Sequence, residues 1–325
     1  MKPTRPLSLL LAALSVLLAV PALAQAPYPV KPVRLIVPYP PGGGNDTLAR
    51  IFGQKLTESL GQQIVVENRP GAGTTIGTAF AARAVPDGYT LLLSSIATHA
   101  FSPHLYAKPG YDALRDFAPV TLLVIAPTLL VVNPALPVNS LKELVALARK
   151  RPGQLEFASA GTGSSAHMLG ETFKSLAKID IIQIPYKGGG PAIVGTISGE
   201  AQMMADPAAS VLPHVKSGRL KPLAIARKQR LPDLPNVPTF AEAGMPEYTA
   251  NAWYSVHAPA KTPADIVARL NKELVRIVNL PDIRDKLKDL GSDGIGNSPE
   301  EFHRFVIAEH ASYGKLIKAM GVKPE

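Results

Sequence analysis

Pro38-Tyr39-Pro40-Pro41-Gly42-Gly43-Gly44-Asn45-Asp46-Thr47 separates two different periodicities. Before it, Val33-Arg34-Leu35-Ile36-Val37 is short, β-branched and closed by proline, the pattern of a buried strand. After it, Leu48, Ile51, Phe52, Lys55 and Leu56 recur at helical spacing. Asn45, Asp46 and Thr47 are all good N-cap residues, so a helix is expected from near Thr47. Three glycines between a strand and a cap leave bare N–H groups at the positive end of a helix, and that end attracts an anion. A strand-to-helix turn without a ligand would use the same residue types, so this stretch alone leaves both readings open.

The chain repeats the device. Gln63-Ile64-Val65-Val66-Glu67 reads as a second strand, and Asn68-Arg69-Pro70-Gly71-Ala72-Gly73-Thr74-Thr75-Ile76-Gly77 as a second glycine-rich helix start. Three residues separate Gly73 from Gly77 where a dinucleotide fingerprint needs two, which argues against a bound cofactor. After the turn Pro86-Asp87-Gly88-Tyr89 comes a third strand at 90–94. The order βαβαβ implies a parallel, doubly wound sheet. Two apolar stretches within 120–132 are split by Ala126-Pro127, which suggests one strand ending and another starting. Asn139-Ser140 caps a helix over 141–149, stopped by Arg151-Pro152-Gly153.

Leu155-Glu156-Phe157-Ala158-Ser159 then runs into Ala160-Gly161-Thr162-Gly163-Ser164-Ser165-Ala166-His167. This is again a strand, a glycine-rich loop and hydroxyl residues at a helix start; Ser164 and Ser165 either cap that helix or bind a ligand. The two loops lie about 120 residues apart, and in two small α/β units both would fall at carboxyl ends of parallel strands, where open sheets bind ligands. Two lobes facing each other would enclose a small anion. Further on come a strand at 180–185, the turn Tyr186-Lys187-Gly188-Gly189-Gly190-Pro191, and strands at 201–205 and 222–226. Lys187 and Asp206 are the ionic candidates near such a cleft. Asn251-Ala252-Trp253-Tyr254-Ser255-Val256-His257-Ala258-Pro259 reads as a strand with its tryptophan in the core, and helical patterns near 263–278, 282–290 and 298–320 close the chain.

Residues 1–26 form an export signal. Lys2 and Arg5 make its basic start, 7–20 is apolar, and Ala22-Leu23-Ala24 or Ala24-Gln25-Ala26 offers the cleavage site, so the cut follows Ala24 or Ala26. The product is expected in the periplasm. The chain has no cysteine, which excludes disulfides, thiolate metal ligands, a cysteine nucleophile and a lipid anchor on an N-terminal cysteine. Two of the excess charges in the net +9 belong to Lys2 and Arg5, leaving +7. The basic residues are scattered without interleaved aromatics, which speaks against nucleic-acid binding.

The motifs of catalysis are missing. No nucleophile elbow, Walker A lysine or H-E-x-x-H set is present, and no metal site or cofactor is expected. The enzyme alternative is a serine hydrolase acting on carboxylate substrates, with Ser164 or Ser165 beside His167. A Ser–His pair within four residues on one helix start rarely reaches productive geometry, so a binding protein without catalytic residues explains the sequence better.

Taken in order, these motifs resemble the Bug-type receptors, the periplasmic substrate-binding proteins of tripartite tricarboxylate transporters. The resemblance rests on Arg34-Leu35-Ile36-Val37-Pro38-Tyr39-Pro40-Pro41-Gly42-Gly43, Glu67-Asn68-Arg69-Pro70-Gly71-Ala72-Gly73 and Pro86-Asp87-Gly88-Tyr89-Thr90-Leu91-Leu92. It continues through the loop ending at His167, through Pro185-Tyr186-Lys187-Gly188 and Leu231-Pro232-Asp233, and on to Ser298-Pro299-Glu300. It implies a two-lobed α/β periplasmic binding protein of type II, each lobe a doubly wound, mostly parallel sheet. Lobe I is expected to combine 27–126 with 227–325 and lobe II to hold 127–226, with crossings near 126–132 and 224–230. A monomer is expected to bind a small carboxylate (a dicarboxylate, an amino acid or an aromatic acid) between its lobes. Partners would be membrane transporter subunits or, if the chain is a sensor, a signalling kinase. Carried over by motif, the ligand residues are Tyr39, Pro41, Gly42, Gly43 and Asp46 or Thr47 from the first loop, with Thr162, Gly163, Ser164, Ser165 and His167 from the second. Asp206 matches an aspartate at the end of a second-lobe strand. The chain departs from many relatives at Gly73-Thr74-Thr75-Ile76-Gly77, where they have Gly-Gly-Asn-Ile-Gly, at Ala205 in place of an aromatic, and at Trp253-Tyr254-Ser255 in place of Trp-x-Gly.

Overall fold

The computed structural model describes residues 28–319, so the expected export signal lies outside the described residues. The first part runs β1 (Val33–Val37), α1 (Gly44–Leu60), β2 (Ile64–Asn68), α2 (Thr75–Ala82) and β3 (Thr90–Ser95). A π-helical turn (Ala97–Phe101) and the short α3 (Ser102–Leu105) lead to β4 (Phe117–Val132). Next come α4 (Leu141–Lys150), β5 (Glu156–Ser159), α5 (Ser165–Ala177), β6 (Ile182–Pro185), α6 (Gly189–Ser198), β7 (Met203–Pro207), α7 (Ala208–Lys216) and β8 (Lys221–Ile225). The chain ends with β9 (Asn251–Pro259), α8 (Ala264–Val278), α9 (Pro281–Asp289), β10 (Asp293–Gly294) and α10 (Pro299–Ala319). Among the described residues no helix is long and apolar enough to cross a membrane.

The sheet order is β2-β1-β3-β9-β4-β7-β5-β6, with β8 and β10 also pairing with β4. Pairs β1–β2, β1–β3, β5–β6 and β5–β7 are parallel, as the βαβ order requires. Every pair involving β4 or β9 is antiparallel, so the sheet is mixed, with the parallel pairs of each half on its flanks.

The two strands expected within 120–132 are one strand. β4 stays extended through Pro127 while its partners change: Phe117 to Pro127 pair with β9, and Thr128 to Val132 pair with β7 and β8. Proline is tolerated because it falls at this exchange, where the ladder demands no N–H from it. Thr128 secures the junction, taking a bond from its N–H to Asn251 Oδ1 at 3.1 Å and donating its hydroxyl to the Ala250 carbonyl at 2.7 Å.

The core divides at the same place. Leu35, Phe52, Phe101, Leu123, Trp253 and Phe302 belong to one buried cluster around β1, β3 and β9. Two further clusters cover the faces of the β5–β7 side. Residues 231–250, expected with lobe I, bury Leu231 and Val237 in one of these and Phe240, Met245 and Tyr248 in the other. The Phe240 N–H bonds the Ile225 carbonyl at 2.9 Å and the Tyr248 hydroxyl donates to the Leu169 carbonyl at 3.0 Å, so this segment packs with the second half until β9 begins. Close approach sets the loop after β1. A Cβ on Gly77 would lie 2.5 Å from the Arg69 carbonyl oxygen and 2.9 Å from Pro38, so only glycine lets α2 lean on that loop.

Candidate functional site

The first helix start differs from expectation. α1 begins at Gly44, with Gly43 as an extended N-cap that offers no side chain. Asp46 sits in the first turn, where a carboxylate suits the helix dipole. Its carboxylate accepts the Gly42 N–H at 3.0 Å, two Arg50 bonds at 3.0 Å and an Asn68 amide bond at 3.0 Å. Burial works against its charge, yet these bonds together hold its pKa below the usual carboxylate range. Asp46 is thus committed to building the loop, and Gly42 already has an acceptor. Pro41, Gly42 and Thr47 are exposed, while Tyr39 turns inward and bonds Ser95 Oγ at 2.6 Å.

The second helix start is built the same way. Ser164 caps α5, accepting the His167 N–H at 3.2 Å. The His167 ring returns the favour, its Nδ1 accepting the Gly163 N–H at 3.1 Å. Burial, and secondarily the Lys174 charge, pushes the His167 pKa down to about 4, so the ring is neutral with its proton on Nε2. Neither serine hydroxyl bonds the imidazole, which removes the geometry of a hydrolase dyad. Ser165 Oγ is buried and has no well-formed hydrogen bond in the protein. Burial pushes the Tyr39 hydroxyl up to about 12, opposed by the Ser95 and Ser165 hydroxyls facing it.

The two starts meet. A Cβ on Gly163 (φ +77°) would lie 3.4 Å from Gly73 Cα, one on Gly188 3.4 Å from Pro40, and one on Gly44 3.1 Å from Ser210 Oγ. At these three places the two sides approach so closely that a side chain larger than glycine's would fill the gap, and Lys187 is exposed. Asp206, at the end of β7 and 6% exposed, lies behind this approach. Burial raises its pKa to about 7, opposed by a hydrogen bond from Ser210. Burial, then the nearby Asp206, raises the Tyr254 phenol well above its ordinary value. Thr162 is half-buried at the rim.

Tyr39, Ser165 and Asp206 are thus brought to one buried polar seam, while Asp46 and His167 shape its loops. Ser95, Ser210 and Tyr254 join the seam without a motif to announce them. Ser210 lies four residues after Asp206, one helical turn on, which is a weak signal; Tyr254 and Ser95 arrive only through the β3–β9 pairing, where Ser95 is opposite Tyr254. Two cavities lie elsewhere, one of about 840 Å³ beside α2 and one of about 410 Å³ between α7 and α9, and the seam residues line neither.

A mixed α/β sheet in two halves with helix starts converging on a buried polar seam defines a solute-binding protein. The family model for the tripartite tricarboxylate transporter family receptor matches residues 48–322, and the chain belongs to that family. It is 38% identical over 297 residues to Protein BugT of Bordetella pertussis, covering 91% of each chain. It is similar to the solved structure of periplasmic binding protein BugD, with 33% identity and TM-score 0.86, over 92% of this chain and 100% of that one. It is also similar to R. palustris Rpa4515 with adipate, with 35% identity and TM-score 0.88, again over 92% and 100%. The family is one of transporter receptors.

Proposed function

We propose that this chain is exported and captures a small carboxylate between two lobes, 28–127 with 251–319 and 128–250, for uptake by membrane subunits. The boundary at 250/251 follows the packing of 231–250 with the second half. The observation that carries the reading is Ser165 Oγ, buried at the first turn of α5 with no well-formed hydrogen bond and facing the Tyr39 hydroxyl of the other half. A buried hydroxyl without a partner costs about 1–3 kcal/mol, which a ligand oxygen would recover.

Opposite it, the Gly43 and Gly44 N–H groups at the α1 start supply further donors of the right polarity. No lysine or arginine lies in either loop, so neutral dipoles hold the anion, each bond to a charged oxygen contributing roughly 1.5–3 kcal/mol. Tyr39, Gly43 and Ser165 supply the polar groups of the anchor, with Pro41, Gly42, Asp46, Thr47, Thr162, Gly163, Ser164 and His167 setting its shape. Asp206 and Tyr254 meet the rest of the ligand. The ligand bridges both lobes and stabilises the closed form by its differential affinity. The adipate bound to a relative favours a dicarboxylate.

A thermal-shift screen of the mature protein against mono- and dicarboxylates, acidic amino acids and aromatic acids tests this. A ligand at 100 times its Kd stabilises by about 2.7 kcal/mol. A shift for one acid that Ser165→Ala abolishes supports the reading. Protein shown to be free of bound ligand that responds to no acid overturns it.

A further inference from the structure

A groove of about 840 Å³ lies beside α2 and the starts of β1 and β3, away from the seam. Ile76 and Val85 line it and are 56% and 69% exposed, two of the few large apolar side chains that reach solvent among the described residues. Phe80 and Tyr89 form its aromatic floor. Three cations border it, Lys31, Arg34 and Arg83, against one acid, Asp87. Arg34 is already held by Glu67 at 2.6 Å, and Lys31 reaches Asp87 only at 3.8 Å. Arg83 donates to the Gly110 carbonyl at 3.2 Å and has no carboxylate partner among the described residues.

An exposed apolar strip beside Arg83, which has no carboxylate partner among the described residues, and Lys31, which is only loosely paired, suits apolar anchors with acidic residues beside them. The groove also adjoins a loop that reaches the cleft. Its wall begins at Thr75 and Ile76, directly after Gly73 and Thr74, and Gly73 is the residue met by Gly163 across the cleft. Thr74 is held at φ +85°, a conformation strained for a β-branched residue, so the loop between groove and cleft is rigidly specified.

We propose that this groove docks an acidic, amphipathic segment of a partner protein, and that the 71–75 loop makes the docking sensitive to cleft closure, a clause that rests on the receptor reading. The partner sees an apolar strip between Ile76 and Val85 and places its carboxylates on Arg83 and Lys31.

The probe is a short fluorescein-labelled helical peptide with leucines on one face and glutamates on the other, with a lysine-faced counterpart as control. Anisotropy titrations use the full mature chain, the double variant Arg83→Glu/Val85→Asp and Ile76→Asp; all three sites are exposed, so folding is preserved. The glutamate-faced peptide is expected to bind, to weaken at least about tenfold in each variant (about 1.4 kcal/mol), and to tighten when an acid that shifts the wild-type melting curve is present. Equal binding of the lysine-faced peptide, or variants that bind as wild type does, overturns the groove. Phosphatidylglycerol vesicles bound with the same dependence on Arg83 and Val85 would make it a membrane surface, and a wild-type dimer lost in the double variant would make it a self-interface; either overturns the proposal. Peptide affinity that ignores a bound acid overturns the closure clause alone. A protein that responds to no acid but binds the peptide through Arg83 rejects the receptor reading and leaves the groove standing.

Discussion

His167 Nδ1 accepts the backbone N–H of Gly163 at 3.1 Å, and this bond fixes the loop that meets Gly73 across the cleft. Gly163 is at φ +77°, so its loop depends on being held rather than on local preference. His167→Ala removes the acceptor and leaves a buried N–H, costing about 1–3 kcal/mol of stability. Ligand affinity should fall with it, whereas His167→Asn, whose side-chain oxygen offers an acceptor at similar reach, should recover part of both. Urea unfolding and a ligand titration read the two effects; an alanine variant with wild-type values would remove His167 from any positioning role.

Acid should weaken the fold. His99 and His257 stack at 4.1 Å in the core under the π-helical turn. Burial, then His310, pushes the His99 pKa down to about 3, and burial, then His99 and His303, pushes His257 well below its ordinary value. A depressed folded pKa means the unfolded chain binds more protons below about pH 6.5, so stability is full above that value and is lost as pH falls toward the folded pKa. Each such histidine contributes a slope of about 1.4 kcal/mol per pH unit. The variant His99→Gln should flatten the fall in Tm between about pH 6.5 and pH 4. An unchanged slope would mean that His99 is not charged on unfolding in that window.

Asp206 works in the opposite sense. Its folded pKa is raised to about 7, so the native state binds the extra proton between the ordinary carboxylate value and 7. Its contribution to stability is greatest at low pH and declines as pH rises through that window. Asp206→Asn should therefore stabilise the ligand-free protein more at pH 8 than at pH 5, by up to about 1.4 kcal/mol for each pH unit below 7. Equal effects at both values would show that the carboxylate stays charged throughout.

Thr74 occupies φ +85°, ψ −11°, the geometry of the third residue of a type II turn, which favours glycine or asparagine. A β-branched residue there stores on the order of 1–3 kcal/mol of strain. Thr74→Asn should raise the urea midpoint by an amount worth about 1 kcal/mol, with an unchanged m-value. A lowered midpoint would show that the buried Thr74 side chain contributes more through packing than its backbone costs.

The local elements were legible because they depend on neighbours in sequence. The run Val33–Val37 alternates with no charge on its core face, and the helix from Ser165 carries its own cap in Ser164. The glycine-rich loops could be read for the same reason, each lying between a strand and a helix. One local inference failed where distant partners intervened. Pro127 signals a break, but β9 on one side and β7 on the other keep β4 extended through it. The segment 231–250 carries no periodicity of its own, and its contacts with Ile225 and Leu169 could not be read from spacing.

The sequence by itself determined the α/β class, the absence of cysteine chemistry and, to within a turn, the glycine-rich helix starts. Backbone preferences, hydrophobic period and capping residues act within a few positions of one another, so they are written locally. Only the tertiary structure decided which donors at those starts stay free. Asp46 satisfies Gly42 and His167 satisfies Gly163, while Ser165 is left without a well-formed bond and Tyr39, Tyr254 and Asp206 are drawn into the seam. Hydrogen-bond satisfaction and burial depend on what the other half of the molecule brings within about 3 Å, and no sequence spacing encodes that distance.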